Sequence, residues 1–486
     1  MRVIAYALLL LGLLPSRAAQ AQAAGLPVEL KCNAWTTPLG IDVPNPDLSW
    51  TIEASPERRG VRQTAYQVLV ASSPALLVQN KGDKWNSGKV LAAKMLQIRY
   101  AGTALAASRP YWWKVRIWDE AGRPSAWSQP AQWTMGILAK NQWQARWITA
   151  RGAEKYAPVI EPRKTDFVEH RRHPTSWVGK MPDSTLPNYS SMLLRKEFGA
   201  APRLVRAVAH VCGLGQYELT LNGHKVGDQL LTPGWSSYDK TVLYDTYDVT
   251  SLLRPGANAV GLLLSNGLYN IQPDTVRYVK MLNTYGPLKA IAQLRLEYAD
   301  GSVKTIGTDA TWQVRPGPVT YMNLYGGEDY DARLEPAGWN KPGFAAGQQW
   351  AKAIVTSDSA ALKGLSCAAA PVKARARLTP SKVIKINAHT WVYDLGQNAS
   401  LMPEIEVSGP KGAFVRLIPA ELLKADGTVD RSSATQDGVK PAWWQYTLGA
   451  NGRAKWFPKF FYQGGRYVQA ELYAAKAIRP CPSWKS

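Results

Sequence analysis

Cysteine is scarce in this sequence. There are four in 486 residues, Cys32, Cys212, Cys367 and Cys481, each more than about 100 positions from the next. That spacing argues against a disulfide-dense array of mini-domains. With no C-x-x-C and no Cys/His cluster, it also argues against a structural zinc site. Acidic residues are short too: 36 Asp+Glu stand against 58 Lys+Arg, a net charge of +22. Beyond the first two dozen residues, no apolar run approaches the ~18 residues of a membrane-spanning helix. No segment repeats apolar residues at i, i+3, i+4 and i+7 over three turns, so long amphipathic helices and coiled coils are not expected. Phenylalanine numbers 7 against 20 Trp and 22 Tyr, so the aromatic surface is mostly of the kind that joins a flat apolar face to a polar handle.

What is present is a folded, basic, multidomain chain. Hydrophobic content of 46% and charged content of 19% separate it from disordered sequences. Its length suggests about three domains. The basic excess is compatible with nucleic acid, a membrane surface or an acidic polymer. The cations are scattered, however, and the densest cluster, Arg171-Arg172 between His170 and His173, has no helix or RNA-binding motif around it. Nucleic acid is therefore not expected as a partner, while an acidic polysaccharide stays open beside the plainer reading of charge that keeps the protein soluble.

The N-terminus has the layout of a secretory leader. Arg2 precedes an apolar run from Val3 to Leu14, Pro15-Ser16 breaks it, and Ala19-Gln20-Ala21 and Ala21-Gln22-Ala23 offer small-residue cleavage sites. Residues 1–23 are read as a signal peptide, and the mature chain as exported, periplasmic or extracellular, without membrane insertion. Loss of Arg2 and Arg17 lowers the net charge to about +20. Export permits disulfides. Cys212 is nevertheless read as a small buried strand residue, and Cys481 as a thiol in the tail.

Strand signals recur throughout. Gln63–Val70 sets Tyr66, Val68 and Val70 on one face. Tyr111–Trp118 alternates Trp113, Val115 and Ile117 against Trp112, Lys114 and Arg116. Tyr217–Leu221 runs straight into Asn222-Gly223, a hairpin signal. Ala292–Tyr298 alternates and stops at Asp300-Gly301. The fold class expected is all-β, built of sandwiches.

Composition divides the chain after the leader. Residues 26–138 have the size of an immunoglobulin or fibronectin III unit. Residues 139–192 read as a linker or excursion, and 193–355 carry the densest hairpin signals. Residues 356–378 read as a second linker, 379–474 as a third β unit, and 475–486 as an unstructured tail.

Ordered motifs run through these units. The first has Asn45-Pro46-Asp47-Leu48-Ser49-Trp50, Trp85-Asn86-Ser87-Gly88, Ala126-Trp127-Ser128 and Trp133-Thr134-Met135-Gly136. The second has Leu221-Asn222-Gly223, Leu231-Thr232-Pro233-Gly234-Trp235, Ser265-Asn266-Gly267-Leu268-Tyr269 and Tyr325–Arg333. The third has Tyr393-Asp394-Leu395-Gly396-Gln397-Asn398 and Gly464-Gly465-Arg466-Tyr467. In this order the chain resembles the N-terminal β domains of bacterial α-L-rhamnosidases, glycoside hydrolase family 78. The resemblance implies a fibronectin-like domain, a jelly-roll sandwich of carbohydrate-module type and a concanavalin-like β domain.

The resemblance also implies hydrolysis of terminal α-L-rhamnose from glycosides with inversion. That chemistry needs an acid and a base carboxyl roughly 6.5–9.5 Å apart. In the family both come from a helical (α/α) toroid after the β domains, and no toroid periodicity or motif is found up to Ser486. The expectation is a chain without catalytic residues of its own, inactive alone, whose catalytic domain is encoded downstream or lost by truncation or frameshift. The rival is a non-enzymatic carbohydrate-binding or scaffold protein recognising rhamnose-containing glycans.

Sugar contacts are expected from Trp235, Asn266 and Tyr269, because C–H faces stack on aromatic rings and hydroxyls need amide or carboxylate partners. Each has a plainer reading: core or turn plugs for the aromatics, a left-handed turn position for Asn266. Some family members bind rhamnose with Ca²⁺, for which Asp228 and Asn266 are the oxygen donors considered. No other cofactor is implied. Glu328, Asp329 and Asp331 are read either as a sugar-contacting carboxylate set or as a loop paired with Arg333 and backbone N–H groups. Glu421 is considered for an interface. His210 and His224 are read as structural or solvated.

Overall fold

The computed structural model describes residues 25–54, 59–152, 190–271, 274, 276–279, 285–357, 360–364, 370–433 and 440–475. The leader 1–23, the His170–His173 cluster, Cys367, Cys481 and most of the tail lie outside them. The fold is all-β as expected: strands dominate, and the described helix is a single turn, Pro74–Val78, beside short 3-10 turns.

The N-terminal unit holds a three-stranded sheet, Leu26–Cys32, Asp47–Glu53 and Ile98–Arg99, and a second sheet built on Pro110–Trp118 and Ala65–Ala71. Alternation decides which residues face inward. Trp113, Val115 and Ile117 are fully buried and lie opposite Val70, Val68 and Tyr66 of the paired strand. Trp50 is buried as well, and its indole N–H donates to Gln63 Oε1 at 3.0 Å, which satisfies the polar end of a large core residue.

The second unit contains two facing six-stranded sheets and a seven-stranded sheet. One face-to-face sheet runs His224–Lys225, Gln216–Leu221, Gly256–Ser265, Ser191–Ala200, Gln313–Pro316, Ala351–Lys352. The other is built on Leu204–Leu214 and Lys289–Tyr298. Leu194, Leu219, Leu262 and Leu264 of the first meet Ala209, Val211, Leu294 and Leu296 of the second, with Trp312 among them. The turn at Asn222-Gly223 has φ of 53° and 85°, as a two-residue hairpin of this sequence requires.

Two segments read as linkers supply strands. Trp147–Thr149 joins the second of these sheets beside Lys289–Tyr298. Ala361–Lys363 pairs in parallel with Thr241–Leu243.

The seven-stranded sheet runs Val319–Asn323, Gly327–Asp331, Trp443–Thr447, Phe414–Ala420, Gln463–Tyr473, Thr390–Leu401, Lys382–Lys385. Its first two strands belong by sequence to the stretch 193–355. They join this sheet through a parallel pairing, Gly327 opposite Trp443 and Asp331 opposite Thr447. Trp444, Phe460, Phe461, Val415 and Leu417 form its core, which also takes in Leu193 and Leu263 of the neighbouring sandwich.

Candidate functional site

The loop 231–235 follows the short strand Gln229–Leu230. Thr232 ties it down: its Oγ1 donates to Tyr217 O at 3.2 Å, and Tyr217 N donates to Thr232 O at 2.8 Å. With its base anchored, the loop leaves Trp235 60% exposed. An indole held in the open offers a flat surface to the C–H face of a sugar.

Asn266 and Tyr269 lie elsewhere. Tyr269 is 3% exposed and packs in a core with Cys212, Leu214, Val242 and Ile291. Tyr285 stacks on it at 6.0 Å, and Tyr238 meets it edge-on at 5.3 Å. Its ring faces are therefore engaged inside the protein. Asn266 stands just past the strand Gly256–Ser265 and is fully buried. Its side-chain N–H donates to Met322 O at 3.3 Å, while its Oδ1 meets no hydrogen-bond donor among the described residues. The backbone carbonyl of Asn266 accepts from Asn270 N at 3.1 Å. Of the three residues expected to contact sugar, the structure gives an open surface to Trp235.

Asp228 is exposed and paired with Lys373 at 2.8 Å, which holds its carboxyl below the usual carboxylate range. Asn266 lies in the interior, and no hydrogen bond links the two. As a Ca²⁺ pair they do not fit, since one oxygen already neutralises a lysine and the other is out of reach of solvent. Among the described residues no cluster of three or more His, Cys, Asp or Glu side chains has metal-binding geometry.

The Tyr325–Arg333 carboxylates each have a structural partner. Asp331 caps a short turn, accepting from Arg333 N at 3.0 Å, Nε at 2.8 Å and Nη2 at 2.6 Å. Glu328 is fully buried and accepts backbone N–H groups from Lys459 at 2.9 Å, Phe460 at 2.7 Å and Phe461 at 3.2 Å. Burial pushes its carboxyl up to about 7, against the opposing pull of those N–H groups and of the Lys459 charge. Asp329 accepts from Arg277 Nη2 at 2.5 Å. Burial raises the Asp329 carboxyl, and Arg277 opposes the shift. The Arg277 guanidinium lies between the rings of Tyr321 and Trp443, 4.0 and 3.8 Å from their centroids. Arg416 sits 4.1 Å from the Trp443 ring. A hydrolytic pair must face an open cleft with room for substrate. These three carboxylates instead fasten strands and turns together.

The remaining polar residues are placed as follows. His210 is fully buried between Thr246 Oγ1 and Ser108 Oγ, both at 2.9 Å, and His224 is exposed at a hairpin. Cys212 is a buried strand residue without a disulfide. Glu421 is exposed after Phe414–Ala420. Arg277, Trp443 and Arg416 carried no signal in the sequence, because their segments are far apart and meet only through strand pairing.

Comparison with known proteins defines the class. Three family profiles match in chain order: "Rha78A-like, N-terminal immunoglobulin domain" over residues 27–139, "Alpha-L-rhamnosidase N-terminal domain" over 202–375, and "Bacterial alpha-L-rhamnosidase concanavalin-like domain" over 384–481. An α-L-rhamnosidase of Formosa agariphila is 33% identical over 455 residues, 91% of this chain and 46% of the relative. One of Streptomyces avermitilis is 29% identical, over 90% of this chain and 55% of the relative. The chain thus spans about half the length of the curated relatives it matches. Among solved structures, an α-L-rhamnosidase from Dictyoglumus thermophilum superposes with a TM-score of 0.78 at 33% identity, covering 94% of this chain and 48% of that one. The Streptomyces avermitilis enzyme complexed with L-rhamnose gives 0.78 at 27% identity, covering 92% and 56%. Along residues 27–481 the chain has the domain order of the N-terminal β region of glycoside hydrolase family 78, the α-L-rhamnosidases.

Proposed function

We propose that this chain serves in the recognition and trimming of glycans ending in α-L-rhamnose, as the exported β-domain part of an α-L-rhamnosidase. In this reading the acid and base carboxyls belong to a separate helical catalytic domain, and the β domains alone do not hydrolyse rhamnosides. The observation that carries it is the collinear run of three rhamnosidase domain matches along almost the whole chain. The engaged state of Glu328, Asp329 and Asp331 supports the second half. The leader layout of residues 1–23 supports a periplasmic or extracellular location.

A second reading, a binding or scaffold protein that works without hydrolysis, is favoured by the exposed Trp235. In both readings the loop 231–235 contacts the sugar. Calorimetric titration of L-rhamnose into the whole chain tests this. Millimolar rhamnose is expected to give heat that Trp235→Ala abolishes, with the thermal midpoint unchanged. Rhamnose heat that survives Trp235→Ala, or no heat at all, would remove the loop from the account.

A further inference from the structure

The N-terminal unit carries a row of cations and rings on the face of Pro110–Trp118 opposite Trp113, Val115 and Ile117, buried at Lys114 and Trp118 and open to solvent toward Arg116 and Lys89. Lys114, Arg116 and Trp118 share that face because side chains two apart along a strand point the same way. The segment 125–128 runs alongside. Ser125 N and Ser128 N each donate at 2.8 Å to the carbonyls of Ile117 and Val115, and the two serine hydroxyls accept from Ile117 N at 3.0 Å and Val115 N at 3.1 Å. This double attachment places Trp127 between Lys114 and Arg116.

The row then reads Lys114, Trp127, Arg116, Trp118, Lys89. Its successive cation-to-ring distances are 4.9, 4.8, 5.0 and 4.8 Å. Each cation is held by an aromatic face, whose negative quadrupole attracts it. Lys114 is also buried, donating to Leu77 O and Asn80 Oδ1 at 2.6 Å each, which fixes that end. Arg116 donates from Nε to Gln67 Oε1 at 2.9 Å, and Gln67 donates to Asn86 Oδ1 at 2.8 Å.

Among the described residues, no carboxylate pairs with Lys89, Lys114 or Arg116, whereas Arg99 and Arg123 of the same unit pair with Asp47 and Asp119. Lys89 is exposed, Arg116 and Trp127 are half-buried, and Trp118 is buried beneath the two cations that flank it. Three like charges are thus lined up with no counter-charge among the described residues, and Gln67 and Asn86 beside them are neutral amides. Such a row has charge complementarity with an extended anion.

We propose that this face of the N-terminal unit docks an acidic polysaccharide, with uronate carboxylates on Arg116 and Lys89 and sugar rings along Trp127. Carboxylate suits the planar fork of Arg116, whose Nε is already oriented by Gln67. Asn86 is exposed beside them, its Oδ1 fixed by Gln67 and Gly88 N, and presents its side-chain N–H to a sugar hydroxyl. The inference does not depend on the Trp235 loop or on rhamnose. Being electrostatic, the attraction weakens with salt, as the Debye length falls from about 10 Å at 0.1 M to about 3 Å at 1 M.

The test is electrophoresis of the whole chain through native gels containing polygalacturonate, dextran sulfate or neutral dextran. Polygalacturonate is expected to retard the protein at low salt, and neutral dextran to leave it unaffected. Lys89→Gln and Arg116→Gln are each expected to weaken the apparent affinity roughly two- to fivefold. A chain carrying Lys382→Gln and Lys385→Gln loses more charge from exposed positions of the other unit and is expected to behave as wild type. Lys89 is exposed, so its variant reads binding even if Arg116→Gln fails to fold. Equal losses in the control, retardation by dextran sulfate alone, or no retardation by polygalacturonate would each overturn the proposal. Binding of polygalacturonate without any rhamnose heat would leave it standing and refute the loop reading; the converse result would do the opposite.

Discussion

At the scale of single residues, burial shifts the titration of polar groups that the fold holds with specific partners. His210 bridges Thr246 and Ser108 in the interior and is pushed down to about 3, first by burial and then by the nearby charges of Arg206 and Arg295. The sign follows from proton counts. An unfolded histidine titrates near its ordinary value of ~6.5, so below that pH the unfolded chain takes up a proton that the folded one refuses. The contribution of His210 is fully present above that value and is lost as pH falls toward about 3. His210→Gln is expected to flatten the stability profile in this window by up to ~1.4 kcal/mol per pH unit, relative to wild type. Urea unfolding at a series of pH values reads this directly, and parallel profiles for the two proteins would contradict it. Asp245 and Glu328 tilt the profile the other way, since burial raises them to about 6 and about 7 and the folded chain holds the proton longer. The comparison must therefore be the difference between variant and wild type.

At the scale of elements, strand pairing accounts for both what the sequence revealed and what it concealed. The two faces of Pro110–Trp118 were legible from alternation alone, and the Asn222-Gly223 turn from its dipeptide. The parallel junction of Gly327–Asp331 with Trp443–Thr447 was not, because its partner lies far along the chain and no local pattern announces it. Nor did the sequence separate Trp235 from Tyr269. Both stand in glycine-flanked motifs, and only the rings of Tyr238 and Tyr285 decide that one is core and the other surface. The Glu328, Asp329 and Asp331 cluster was visible as acidic residues, but their structural partners, other than Arg333, come from distant segments. The junction itself depends on Gly327, which has φ of +120° and whose added Cβ would lie 1.9 Å from Trp443 O. Gly327→Ala is expected to cost roughly 1–3 kcal/mol or more through overpacking against backbone that cannot yield. Thermal unfolding should show a midpoint lowered by several degrees, whereas Gly347→Ala, with open space around it, should leave the midpoint near wild type. Equal midpoints for the two variants would contradict the close approach.

At the scale of the whole molecule, the scarcity of acidic residues takes on a local meaning. The excess of +22 is mostly dispersed, yet on the N-terminal unit a row of cations stands without a carboxylate partner among the described residues. The three β domains follow the order of the rhamnosidase family, and the chain spans about half the length of its curated relatives. In the function proposed above, the sandwiches recognise the glycan and a separate domain supplies the chemistry. The most direct test of that function is release of p-nitrophenol from p-nitrophenyl α-L-rhamnoside by the purified 486-residue chain. The account predicts a rate no greater than the buffer blank. Turnover above the blank that co-purifies with the chain would contradict it and place an acid and a base within these domains.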